Sequence, residues 1–375
     1  MKTALPAAAP LFAAPPRAVL IVKLSAIGDV CHTLPVIRTL QRAWPATRFT
    51  WIIGRNEARL AGGIPDIEFI EFDKRAGLAG LAGVRRALRG RCFELLLHMQ
   101  FAWRASLVAL LAHAPVRLGY DRERALDLQW LFSNARIAPA PREHVMDALF
   151  GFARRLGVPQ REYRWDIAVP EGARAYAARH IAEGVPALII SPCSSHVLRN
   201  WNVPGYAAVA DHAARALGLK VLLCGGRTPL EQRTAAQIAA HMRAPCTNLA
   251  GADTLAEFYA LLGRARAIVT PDSGPAHMAT SLGVPVVGLY AATNPARSGP
   301  YFSRELCADH FDEAARRFLG RPAAQLPWRT KIERPGVMDL IEPPEVITKL
   351  EAALRRTPGF SPAPPAAAPA GSSTR

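Results

Sequence analysis

Short runs of apolar, often β-branched residues alternate along this chain with longer stretches in which apolar positions recur every three or four residues. The first kind of run reads as a buried strand and the second as an amphipathic helix, so the alternation predicts βα units on a parallel sheet. In the first half it predicts strands over 18–22, 49–53 and 93–97, and helices over 28–43, 78–88 and 103–112. The pattern loosens over 160–180, where Pro159, Pro170 and Gly172 interrupt it, and restarts at Ala187-Leu188-Ile189-Ile190. From there it predicts helices over 206–217, 231–242 and 276–282, with strands over 221–223, 267–269 and 284–290. The fold class is therefore α/β, with two doubly wound, Rossmann-like domains at 17–170 and 171–345 and a last helix over 346–357. The ends, 1–16 and 358–375, are rich in Ala and Pro and are expected to be disordered tails.

Composition narrows the partners. At 375 residues and 50% hydrophobic, the chain can bury two domain cores. Six cysteines, at 31, 92, 193, 224, 246 and 307, form neither CxxC pairs nor clusters with histidine, which argues against a zinc site or a disulfide framework and for a reducing compartment. Prolines at 6, 10, 15 and 16 break the apolar helix that a targeting segment needs, and the most apolar candidate span, 93–112, carries Glu94, His98, Gln100 and Arg104. Forty-six basic against thirty acidic residues leave a net charge of +16, which favours anionic partners: phosphates, acidic sugars or an anionic lipid surface. The arginines are dispersed and no nucleic-acid-binding spacing is present, so no nucleic acid is expected.

Ligands of open α/β sheets bind beyond the carboxyl ends of the strands, so the chemistry is sought in the loops that follow them. In Pro271-Asp272-Ser273-Gly274-Pro275-Ala276-His277 a turn leads into a helix whose first N–H groups would face an anion, although an ordinary capped turn has the same composition. Asp29, in Lys23-Leu24-Ser25-Ala26-Ile27-Gly28-Asp29-Val30, stands at a helix start where the dipole stabilises a carboxylate, either as a general base or simply as a cap. Ser194, Ser195 and Arg199 follow strand 187–190 and can donate to a diphosphate, or they form a polar loop over Trp201. Glu231, after the glycine turn Cys224-Gly225-Gly226, stands where nucleotide sites hold a ribose hydroxyl. Arg104, Arg122, Arg124 and His144 fall in first-domain loops that could meet sugar carboxylates or lipid phosphates.

Val22-Lys23-Leu24-Ser25-Ala26-Ile27-Gly28-Asp29-Val30-Cys31-His32-Thr33-Leu34-Pro35, then Arg199-Asn200-Trp201, then Asp272-Ser273-Gly274-Pro275-Ala276-His277 together resemble glycosyltransferase family 9. Within it they resemble the lipopolysaccharide heptosyltransferases, the heptosyltransferase I group above all, which Trp130-Leu131-Phe132-Ser133-Asn134 also matches. The resemblance implies a GT-B fold, two Rossmann-like domains facing across a cleft, with the last helix packing back toward the first domain. It implies an inverting transferase, with no metal and no other cofactor, that moves heptose from ADP-heptose or a related nucleotide sugar to Kdo-lipid A. The place of work would be the cytoplasm, peripherally on the inner face of the inner membrane.

By the same resemblance Asp29 is the catalytic base. Ser194, Ser195 and Arg199 hold the diphosphate, with Arg199 where the family has lysine. Glu231 holds the ribose, Asp253 lies in the segment passing the adenine, and Asp272, Ser273, Gly274 and His277 form the donor turn. Lys23, Ser25, Arg104, Arg122, Arg124 and His144 are the acceptor-side candidates. The chain departs from the family's Asp-x-Gln-Gly run at His98-Met99-Gln100-Phe101, on the acceptor side. The competing readings are a family 9 transferase with another donor or acceptor, a non-catalytic nucleotide-sugar binder, and an epimerase-type isomerase. The isomerase would need acid and base carboxylates clustered in the second domain, and a pure binder would have no need of Asp29.

Overall fold

The structure, a computed structural model, describes residues 11–356. The tail expected at 358–375 and most of that expected at 1–16 lie outside the described residues. The chain divides into two compact units, one ending at Ile167 and the other beginning at Ala168.

The first unit runs β1 (Ala18–Val22), α1 (Ile27–Ala43), β2 (Arg48–Gly54), α2 (Arg55–Ala61), β3 (Ile67–Phe72), α3 (Gly77–Ala87), β4 (Leu95–His98), α4 (Trp103–Leu110), β5 (Val116–Gly119), β6 (Ala135–Arg136) and α5 (Val145–Arg155). Its six strands are parallel in the order β3-β2-β1-β4-β5-β6. β1 is central, and Val19, Leu20, Ile21 and Val22 are fully buried, which is why the strand reads as an unbroken apolar run rather than an alternating one. Pro35 sits inside α1 and has no N–H for the carbonyl of Cys31, four residues earlier. The indole Nε1 of Trp165 donates to that carbonyl at 2.6 Å, so the last strip of the first unit satisfies the group that proline leaves open.

The second unit runs α6 (Glu171–His180), β7 (Ala187–Ile190), α7 (Val203–Arg215), β8 (Lys220–Leu223), α8 (Pro229–His241), β9 (Thr247–Asn248), α9 (Leu255–Leu262), β10 (Ala267–Pro271), α10 (Gly274–Ser281), β11 (Val286–Tyr290), α11 (Pro295–Ser298), β12 (Ala308–Asp309), α12 (Phe311–Leu319) and α13 (Pro343–Arg355). Its parallel sheet has the order β12-β11-β10-β7-β8-β9, the same winding read from the opposite edge. α13 places Val346, Leu350 and Ala353 in this unit's own core.

Each sheet has one switch point, where strand order reverses: between β1 and β4 in the first, and between β7 and β10 in the second. Ligands of such sheets bind beyond these points, and the loops found there carry the candidate residues. Weakly periodic elements, among them β3, β5, β6 and β9, were not foreseen. They are short edge or near-edge strands, and two of them have only two residues.

Candidate functional site

At the first switch point the loop after β1 is tied to the loop after β4. Gln100 Oε1 accepts from the backbone N–H groups of Leu24 and Ser25, and its Nε2 donates to Ser25 Oγ at 3.1 Å. Gln100 is itself held by Gln129, a fully buried residue whose Nε2 donates to the carbonyls of Gln100 (2.9 Å) and His98 (2.7 Å). Trp51 Nε1 donates to Lys23 O at 2.9 Å from the other side. Gly54 completes the brace: its N–H donates to Leu24 O at 2.9 Å, and a Cβ there would stand 2.3 Å from that same oxygen.

This fixed loop delivers Asp29 at the third position of α1. Asp29 Oδ2 accepts from Lys23 Nζ at 2.8 Å and from the backbone N–H of Ala26 at 3.2 Å. Oδ2 thus serves the cap and carries the lysine. Oδ1 receives no hydrogen bond from the described residues, and the side chain is 40% exposed. Lys23 is buried, so its ammonium is fixed beneath the carboxylate.

The other acceptor-side candidates separate. Ser25 lies in the braced loop, and Arg104 and Arg122 are exposed, stacked over Trp103 and Trp130 at 5.8 and 5.0 Å. Arg124 and His144 are corrected. Arg124 is buried, binding Asp121, Glu143 and the carbonyl of Ala138. His144 is buried as the N-cap of α5, its Nδ1 accepting from Met146 N at 3.1 Å. Their polar atoms serve the fold because their side chains are turned inward. His98 is also fully buried; neither ring nitrogen has a hydrogen-bond partner, and burial pushes its pKa down to about 4.

At the second switch point the loop after β7 is tied to the loop after β10, because Ser194 Oγ donates to Asp272 O at 2.8 Å. Asn200 Oδ1 accepts from Ser194 N at 2.7 Å, and Trp201 anchors the segment by donating to Ile341 O at 3.0 Å. The indole lies against Gly205 of α7, where a Cβ would come within 2.5 Å of the ring. Asp272 Oδ2 accepts from Ser298 Oγ at 3.2 Å, and Ser273 turns its hydroxyl to Thr270 at 2.8 Å rather than capping α10. The first N–H groups of α10 therefore have no side-chain cap, while Ser195 stands exposed and His277 is buried.

Arg199 is not an open guanidinium. Its Nε donates to Glu333 Oε1 at 2.8 Å, with a second donation from Nη2, and this bond holds the Glu333 carboxyl below its usual range. Lys331 shares the cluster: burial, then the Arg199 charge, lowers its pKa, and Arg297 and Asp272 also act on it. Sequence reading missed Lys331, Glu333 and Ser298, since no local motif marks them.

Glu231 caps α8 with both oxygens engaged, Oε1 by Gly226 N at 2.9 Å and Oε2 by Thr228 Oγ1 at 2.6 Å. Asp253 lies within electrostatic reach of Glu231, Glu257 and Arg227. Burial, then the neighbouring Glu257, raises its pKa to about 7, and its Oδ2 is buried with no hydrogen-bond partner. An orphaned carboxylate oxygen at a strand-end loop is suited to a ligand's donor group.

Comparison with known proteins agrees with this anatomy. The model of glycosyltransferase family 9 (heptosyltransferase) matches residues 81–320. The lipopolysaccharide core heptosyltransferase OpsX of Haemophilus influenzae is 37% identical over 342 residues, 91% of this chain and 98% of its own. The lipopolysaccharide heptosyltransferase 1 of Pseudomonas aeruginosa is 26% identical over 360 residues, 90% of this chain and 98% of its own. The solved structure of Escherichia coli heptosyltransferase WaaC with ADP superposes with a TM-score of 0.70 at 22% identity, covering 90% of this chain and 99% of that one. That likeness carries the fold, two Rossmann-like α/β domains of the GT-B class. By the reach of the family model and of the OpsX match, the chain belongs to glycosyltransferase family 9.

Proposed function

We propose that this chain transfers a heptose from ADP-heptose, with inversion, to the Kdo-lipid A inner core in lipopolysaccharide biosynthesis. The observation that carries the reading is Asp29, a carboxylate on a braced loop at a switch point with one oxygen fixed by Lys23 and the other open. The acceptor hydroxyl gives its proton to Asp29 Oδ1 as its oxygen attacks the anomeric carbon. The bond from that carbon to the diphosphate oxygen breaks on the opposite face, and ADP leaves with the electron pair.

The leaving diphosphate gains charge in the transition state, and two features of the second unit can stabilise it: the uncapped start of α10, and the cations Arg199 and Lys331. In this reading Glu231 and Asp253 receive the nucleoside. Kdo is acidic and lipid A phosphorylated, which suits a chain of net charge +16. Among the described residues no helix is long and apolar enough to cross a membrane, so the enzyme would reach its acceptor at the inner face of the inner membrane by surface contact.

The test is incubation with ADP-heptose and Kdo-lipid A, reading ADP release and the anomeric configuration of the product. An inverted heptoside supports the reading. Absence of transfer, with a thermal shift from UDP- or GDP-sugars but none from ADP-sugars, overturns the donor.

A further inference from the structure

We propose that Trp103, Leu110, Leu126, Leu128 and Leu131 form the face by which the first unit sits on a bilayer containing anionic lipid. This rests on the reading of a lipid-linked acceptor and gives it a surface. Eight large hydrophobic side chains are exposed among the described residues, and these five make up most of them, at 58, 54, 48, 58 and 58%. They lie on two adjoining pieces of chain: Trp103 and Leu110 are seven residues apart on one face of α4, and the 126–131 loop is fastened to its start by Asp127 Oδ2, which accepts from Trp103 N at 3.1 Å. A clustered apolar patch is the kind that marks an interaction surface, whereas singly scattered ones do not.

Two observations select the occupant. Arg104 and Arg122 stand over the indoles of Trp103 and Trp130, which pairs an amphipathic ring with a cation, as the headgroup layer of an anionic bilayer accommodates. A second copy packed face to face would bring these like charges together. Asp127 and Leu128 are consecutive non-glycine residues in the left-handed region, with φ of 51° and 57°, and Leu128 is exposed in that turn. Gln129, between Leu128 and Leu131 in sequence, is fully buried and bonds the carbonyl of Gln100, so the exposed patch side chains are not among those that hold the loop after β1.

Flotation of the full chain with vesicles tests this without donor or acceptor, so a failure of heptose transfer leaves the readout intact. The wild type should float with phosphatidylcholine vesicles containing phosphatidylglycerol and less with phosphatidylcholine alone. The triple variant Trp103→Ser, Leu128→Ser, Leu131→Ser should bind them on the order of tenfold more weakly, since binding scales with inserted apolar area. Its ADP release with a soluble Kdo acceptor lacking acyl chains should be unchanged. Leu128→Asn is the second variant; asparagine tolerates a left-handed backbone, so the substitution keeps the turn and removes only the apolar side chain, and weaker flotation by a variant with wild-type circular dichroism supports the proposal. A wild type that stays with the pellet overturns the proposal. So does a variant that floats as well as the wild type, or one whose main change is from dimer to monomer in light scattering.

Discussion

Lys23 Nζ lies 2.8 Å from Asp29 Oδ2, and the lysine is buried while the aspartate is half exposed. The cation therefore fixes one oxygen from below and leaves the other facing outward. Asp29→Ala should lower turnover by about 10²–10⁴-fold, the usual contribution of a positioned base. ADP affinity, read by calorimetry, should hardly change, because the nucleotide is assigned to the other unit. A folded Asp29→Ala protein with near-normal turnover would remove Asp29 from the reaction.

Gln100 acts on Asp29 through the backbone of the intervening loop. Gln100→Ala should lower kcat by roughly 10–100-fold, since a misplacement of about 1 Å can cost that much, with ADP affinity unaltered. Gln100→Glu keeps the acceptors for the Leu24 and Ser25 N–H groups and should recover part of the loss. Equal damage from both substitutions would mean that Gln100 merely supports the fold.

Arg199 and Glu333 should respond in opposite directions. Arg199→Ala removes a charge-assisted donor and should weaken ADP binding by roughly 10–100-fold. Glu333→Gln removes the carboxylate that occupies Arg199 and should tighten it by about threefold or more. Calorimetric titration with ADP reads both, and weakening by both would show that the pair is needed intact.

His98 should make stability fall in acid. Its folded pKa is about 4 against an ordinary value of 6.5, so over that range the unfolded chain binds a proton that the folded chain refuses. Stability is then fully present above 6.5 and is lost as pH falls toward 4, by up to about 3 kcal/mol. Denaturant unfolding of His98→Gln across this range should show a flatter dependence; an identical slope would place the effect elsewhere.

The sequence by itself determined both units, because β1, β7 and β10 are buried on both faces and so appear as unbroken apolar runs between helical periods. It also marked the strand-end loops that hold the candidate residues: Asp29 after β1 and Asp272-Ser273-Gly274 after β10 can be read from local order alone. Tertiary structure decided the partners. Glu333 meets Arg199 across 134 positions and Gln100 meets Ser25 across 75, and no local period records which loops two parallel strands bring side by side. It also decided which cations face outward. Arg122 and Arg124 look alike in sequence, yet Arg124 turns inward to Asp121 and Glu143 while Arg122 lies over Trp130, because only the packed loop sets which side of the backbone is solvent.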